Sequence, residues 1–110
     1  MRRGDIVTVA AGGDDAGKPR PAVIVQSDDF AATASVTVCL LTTHPVDAAL
    51  LRLPVEPSPV NNLSASSWIM VDKIVTMPRS KVGGRIGQLS AGEVTRLDRG
   101  LLVFLGLAGG

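Results

Sequence analysis

An arginine and two threonines of this chain stand where apolar stretches begin and end. Arg20 opens one such stretch within Lys18-Pro19-Arg20-Pro21, directly after a Gly-rich segment at 12–17. Thr42 and Thr43 close another, where the chain passes from apolar to polar. A guanidinium offers a fixed fork of charged N–H donors and a hydroxyl adds one more, so the two together can hold a phosphate. The residues alone leave the plainer alternative open, a surface arginine beside two turn threonines. Basic groups are unevenly spread as well. From Lys73 to Gly92 the chain carries Lys73, Arg79, Lys81 and Arg85 with no Asp or Glu. Such a run suits either a solvated strand pair or contact with the phosphates of RNA or with an acidic protein segment.

Other chemistries lack their residues. One cysteine, Cys39, and one histidine, His44, leave no CxxC motif, no two-imidazole acid–base pair and no ligand set for an ordinary zinc site. No metal or cofactor is therefore expected. The Gly-rich segment lacks a GKS or GKT ending and precedes a strand, so it fails as a phosphate-binding P-loop. The pairs Asp14-Asp15 and Asp28-Asp29 read as solvated turn formers. Cys39 alternates within an apolar stretch and reads as a buried thiol rather than a nucleophile. Aromatic residues make up 3% of the chain, with one Trp, two Phe and no Tyr. The stacking platforms of common single-strand binders are thus nearly missing, Trp68 being the main one available.

The whole is 110 residues, 45% hydrophobic and 19% charged, with a formal net charge of +1. Those values fit one folded domain spanning residues 1–110 and argue against intrinsic disorder. The longest apolar run, at 101–108, falls far short of the ~20 residues a membrane span needs. Asp5 interrupts the start before a signal-peptide core forms, and a cytoplasmic location is expected.

The elements that must position these residues are mostly short strands. Residues 5–10 (DIVTVA), 20–26 (RPAVIVQ), 35–42 (SVTVCLLT), 50–56 and 67–77 (SWIMVDKIVTM) are rich in β-branched residues and bounded by turn formers. Pro21 suits a strand start, and Pro54 marks the fourth strand as a sheet edge. Residues 27–34 suit a loop or one helical turn, and 79–87 a short, basic, Gly-rich strand flanked by turns. Near the end the period changes. Ser90-Ala91-Gly92-Glu93 is a capping box, with Leu89 and Val94 placed as a hydrophobic staple. Val94, Leu97, Leu101 and Phe104 then form one apolar stripe of a helix, with Gly106 as its stop. Gly100 within it costs up to ~1 kcal/mol relative to Ala, so packing must stabilise this helix. Leu102, Val103 and Leu105 lie off the stripe and read as an interface. The expected architecture is a small, strongly bent sheet or barrel closed by a C-terminal helix.

Five segments, in order, resemble the MazF/PemK toxins of type II toxin–antitoxin systems: Arg3-Gly4-Asp5-Ile6-Val7; Arg20 through Gln26; Leu41-Thr42-Thr43; Leu63-Ser64 through Ser67 with Val71-Asp72-Lys73-Ile74; and Ile86-Gly87-Gln88-Leu89-Ser90. The resemblance implies an SH3-like barrel of antiparallel strands with a C-terminal helix, and a homodimer. It implies metal-independent, sequence-specific cleavage of single-stranded RNA, leaving 2′,3′-cyclic phosphate and 5′-OH ends. Arg20 and Thr42 fall at the family's catalytic positions. Ser67 falls near them, and Lys18, Thr43, Lys73, Arg79 and Lys81 are expected to bind RNA or assist. The implied partner is an antitoxin with an acidic, disordered C-terminal segment. The loop after the first strand is shorter than in many members, and Lys73 stands where a glutamine commonly follows the acidic residue. Two other functions are compatible with such a fold: gyrase inhibition of the CcdB type, and a non-enzymatic SH3-like interaction module. The first works through a Trp-Gly-Ile tail, where this sequence reads Leu107-Ala108-Gly109-Gly110; the second needs an aromatic groove.

Overall fold

β-branched runs make four of the six strands, β4 and the Gly-rich β6 complete them, and the capping box starts one helix. The computed structural model describes residues 1–10, 18–44 and 51–108. The strands are β1 (Asp5–Val9), β2 (Arg20–Ile24), β3 (Ser35–Thr42), β4 (Arg52–Val55), β5 (Ser67–Pro78) and β6 (Val82–Gln88), followed by α1 (Ala91–Phe104). Single 3-10 turns occupy Asp28–Phe30 and Arg79–Lys81. The expected strand ends thus move by one or two residues, and the basic 79–87 segment begins with a turn. Residues 12–17 and Leu50, which entered the sequence reading, lie outside the described residues.

All six strands form one sheet in the order β4-β5-β3-β2-β1-β6, every pairing antiparallel. β5 is long enough to serve two parts of it. Opposite β5, β3 moves two residues, from Cys39 to Leu41, while β5 moves five, from Ile74 to Ile69. This bulge reverses which face the odd-numbered residues of β5 meet and bends the strand. Ile69 and Val71 join one apolar cluster with Ile6, Val23, Cys39, Leu41, Val55 and Leu97. Beyond the bulge, Val75 and Met77 join a second cluster with Val7, Val9, Ala22, Ile24, Val36 and Val38. α1 packs against β4 and β5 over the first cluster.

Of the bent sheet or barrel expected from the sequence, the structure shows the bent sheet with its C-terminal helix, not closed into a full barrel. Among the described residues β4 and β6 remain the two edges, with no ladder between them. Pro54 in β4 has no N–H to offer a further strand. The helix is capped as its sequence indicates: Ser90 Oγ accepts from Glu93 N at 3.2 Å and Glu93 Oε1 accepts from Ser90 N at 2.8 Å. Leu97 is fully buried, with Val94 and Leu101 packed beside it. Phe104 departs from expectation. It is 43% exposed, because the apolar contact of the helix ends at Leu101 and the last turn has no core beneath it. Gly100 also finds its reason here: a Cβ would stand 3.3 Å from Val71 Cγ2, so glycine lets the helix lie close on β5.

A second glycine is more tightly constrained. The turn before β5 is organised by buried Asn61, whose Oδ1 accepts from the backbone N of Ser58 and of Leu63 while its Nδ2 donates to Glu56 O. That turn rests directly on β6, where a Cβ at Gly87 would come within 2.6 Å of Val60 O and closer still to Asn61 O. Gly87→Ala is therefore expected to destabilise the fold by ~2–3 kcal/mol, as overpacking against backbone does. Equilibrium denaturation checks it, and an unchanged midpoint would show that the turn yields freely.

Candidate nucleic-acid interface

Strand register brings Arg20 and Thr42 to the same end of the sheet. β2 and β3 pair so that Ala22 faces Leu40. Continuing that register by two residues sets Arg20, the first residue of β2, against Thr42, the last of β3. Thr42 in turn faces Trp68, Trp68 faces Pro54, and on the other side Arg20 faces Val9. Directly opposed residues of an antiparallel pair point to one face with Cβ atoms about 5 Å apart. One row of side chains thus crosses five strands at one end of the sheet, with the guanidinium and the hydroxyl as neighbours in it.

The neighbours of this row shape its chemistry. Arg20 is partly buried and engaged in the fold. Thr42 Oγ1 accepts from His44 N at 3.1 Å, which orients the hydroxyl and leaves it a proton to donate. Lys18 and Thr43 are exposed immediately beside Arg20 and Thr42. Lys81 is exposed too, and its carbonyl accepts from Ala10 N at 2.9 Å, next to Val9 of the row. Lys73 is exposed in the β5 bulge, beside Asp72, which pairs with Arg52.

Two expected residues stand elsewhere. Ser67 faces Val55 on the helix side of the sheet, is buried, and donates to Ala65 O at 2.9 Å. Arg79 lies by the far end of β3, where Ser35 faces Pro78. Its Nη2 donates to Ala31 O at 2.6 Å and to Thr33 O at 2.8 Å, and its Nε donates to Thr33 O at 3.0 Å, holding the 28–34 segment down. Arg85 is likewise occupied, with Nε 3.1 Å from Oδ1 of buried Asp5. The charged partners of this acid-free stretch thus come from distant sequence, while Arg85 Nη2 also donates to Gln88 Oε1 within it at 2.9 Å. Trp68 lies on the face of Thr42, a placement that its alternation along β5 allows and only the strand register reveals.

Cys39 is fully buried, and burial pushes its thiol up from 9.0 to about 11, with Arg3 opposing and Asp72 adding to the shift. The thiol form is the folded one, so stability falls as pH rises above 9.0, where the unfolded chain ionises, and the loss levels off near 11. At pH 8 Cys39 is expected to resist iodoacetamide until denaturant is added, mass spectrometry giving the count of alkylated thiols. Rapid labelling of folded protein would contradict this burial.

A curled six-stranded antiparallel sheet backed by one C-terminal helix, with a polar rim at the strand ends, places the chain in the class of small SH3-like toxins. Residues 2–105 match the family described as PemK-like, MazF-like toxin of type II toxin-antitoxin system, and the chain belongs to that family. It is 55% identical over 109 residues to a probable endoribonuclease MazF of Mycolicibacterium smegmatis, covering 99% of this chain and 100% of that one. The Mycobacterium tuberculosis toxin MazF-mt6 superposes with a TM-score of 0.79 at 25% identity, covering 94% of this chain and 97% of that one. A mycobacterial endoribonuclease solved in complex with its cognate antitoxin shares the fold, with a TM-score of 0.79 at 22% identity and coverage of 100% and 99%.

Proposed function

We propose that this chain is the toxin of a type II pair and a sequence-specific endoribonuclease that cuts single-stranded RNA without a metal ion. The observation that carries this is the shared row of Arg20 and Thr42, and the 55%-identical relative named as a probable endoribonuclease supports it. RNA contains its own nucleophile. The 2′-OH attacks the adjacent phosphorus, the O2′–P bond forms, the P–O5′ bond breaks, and one proton leaves O2′ while one is gained by O5′. The enzyme must align that attack and stabilise the charge gathering on the nonbridging oxygens. Arg20 supplies charged donors in a planar fork and Thr42 a hydroxyl donor beside it. Lys18, Thr43, Lys73 and Lys81 extend the contact to flanking phosphates.

Assembly and restraint complete the proposal. The exposed apolar end of α1 pairs two copies, and an antitoxin with an acidic, disordered C-terminal segment covers the RNA-binding rim. The relative captured with its cognate antitoxin favours such a partner. The setting is the cytoplasm, and among the described residues no helix is long and apolar enough to cross a membrane. Incubating the protein with a mixed single-stranded RNA pool, with and without EDTA, tests the activity. Fragments in both reactions are expected. An intact pool in both would end the proposal, and fragments only without EDTA would end its metal-independent part.

A further inference from the structure

We propose that Trp68 is the base-stacking platform of the RNA site, an assignment that rests on the endoribonuclease reading above. Trp68 faces Thr42 on one side and exposed Pro54 on the other, one strand further from Arg20 in the same row. It is partly exposed and belongs to neither apolar cluster, while its neighbours Ser67 and Ile69 are buried on the opposite face. Two residues further along the face lie Leu40 and Met70, both partly exposed, an apolar floor beside the indole. Pro54 brings no long side chain to cover the ring. Two strand spacings, about 10 Å, separate Arg20 from Trp68, a span of the order of one nucleotide. A phosphate held at Arg20 and Thr42 therefore leaves a neighbouring base over the indole.

Stacking of this kind accepts any base through its π-face, but only from a strand whose bases are splayed out. Bases inside a duplex already stack on both sides. Trp68 thus gives the site a physical reason to take single strands, using the single indole of an aromatic-poor chain. Lysines beside the row attract the backbone without distinguishing single from double strands.

Trp68 is the only tryptophan and the chain has no tyrosine, so its emission reports on this residue alone. A mixed-sequence 2′-O-methyl oligoribonucleotide, which lacks the attacking hydroxyl, serves as a probe that binds without being cut. Titrating it into the unmodified protein is expected to quench the emission saturably. Trp68→Ala should raise KM and weaken binding by roughly 5- to 150-fold, with Trp68→Phe recovering most of the loss. Trp68→Leu should not recover it, although it restores apolar bulk and would rescue a merely structural role. If the unmodified protein cleaves RNA but its emission is unmoved, or Leu serves as well as Phe, the assignment of Trp68 falls and the endoribonuclease reading stands. If the protein cleaves no RNA, the reading itself fails and the assignment with it. The titration needs no variant, so it decides the matter even if Trp68→Ala does not fold.

Discussion

Arg20→Ala is expected to slow RNA cleavage by about 100- to 1000-fold, the loss typical of removing one donor aimed at developing charge. The residue lies at the first position of β2, ahead of buried Ala22, Val23 and Ile24, so the apolar clusters stay complete without it. Cleavage and stability should separate accordingly. Circular dichroism should stay close to that of the unmodified protein, the thermal midpoint falling only by the loss of Arg20's own contact in the fold. Arg20→Lys should recover little, because an ammonium keeps the charge but lacks the planar two-point geometry that spans two phosphate oxygens. Thr42→Ala should follow the same pattern with a smaller loss, since a neutral hydroxyl stabilises an oxyanion less than a guanidinium does. Thr42→Ser, retaining the hydroxyl, should restore part of the rate. Single-turnover cleavage of a short RNA measures all four. A rate for Arg20→Ala within a few-fold of the unmodified protein would take Arg20 out of the active site.

The second large effect concerns assembly. The last turn of α1 and the residues after it expose Leu102 at 44%, Val103 at 56%, Leu105 at 53% and Leu107 at 69%. Phe104 is exposed beside them, and Leu101, Leu102, Leu105 and Leu107 line a 340 Å³ depression with Arg3 and Asp98. Surfaces of this kind mark interfaces, and burying each leucine against a second copy contributes ~1.5–3 kcal/mol. Leu102→Asp together with Leu105→Asp removes two such contributions and adds two carboxylates that resist desolvation. Dimer affinity should fall by at least ~100-fold. Sedimentation equilibrium at micromolar concentration should then show two copies for the unmodified chain and one for the variant. A single copy for both would contradict the proposed dimer.

Much of the fold is legible in the sequence because its signals are local. The runs DIVTV, RPAVI and SVTVCLLT declare β1, β2 and β3 through β-branching, and the Ser90–Glu93 box marks the start of α1 within a residue. Pro54 marks β4 as an edge for a reason the chain carries in itself, its missing N–H. What stays hidden depends on partners distant in sequence. The bulge of β5 falls between Ile69 and Ile74, inside a run that reads as plain strand, and the open sheet follows from that bend and from the unpaired edges. Phe104 fits the helical stripe perfectly well by spacing, yet the core beneath it ends one turn earlier. At the candidate site, strand ends could be assigned to Arg20 and Thr42 individually, but their adjacency is a matter of register. Arg79 and Arg85 read as free cations in an acid-free stretch; the carbonyls of Ala31 and Thr33 and the carboxylate of Asp5 that occupy them are at least 46 residues away in sequence.

The central claim is an attack by the RNA's own 2′-OH, held in place by donors from Arg20 and Thr42. Mass spectrometry of the fragments from a defined single-stranded RNA, digested in the presence of EDTA, tests it most directly. Each upstream fragment should carry the mass of a 2′,3′-cyclic phosphate and each downstream fragment a 5′-OH, and an RNA with deoxyribose at the cut site should remain whole. Downstream fragments bearing a 5′-phosphate, or cleavage of the deoxy-substituted strand, would mean that water and not the 2′-OH attacks, and would contradict the account.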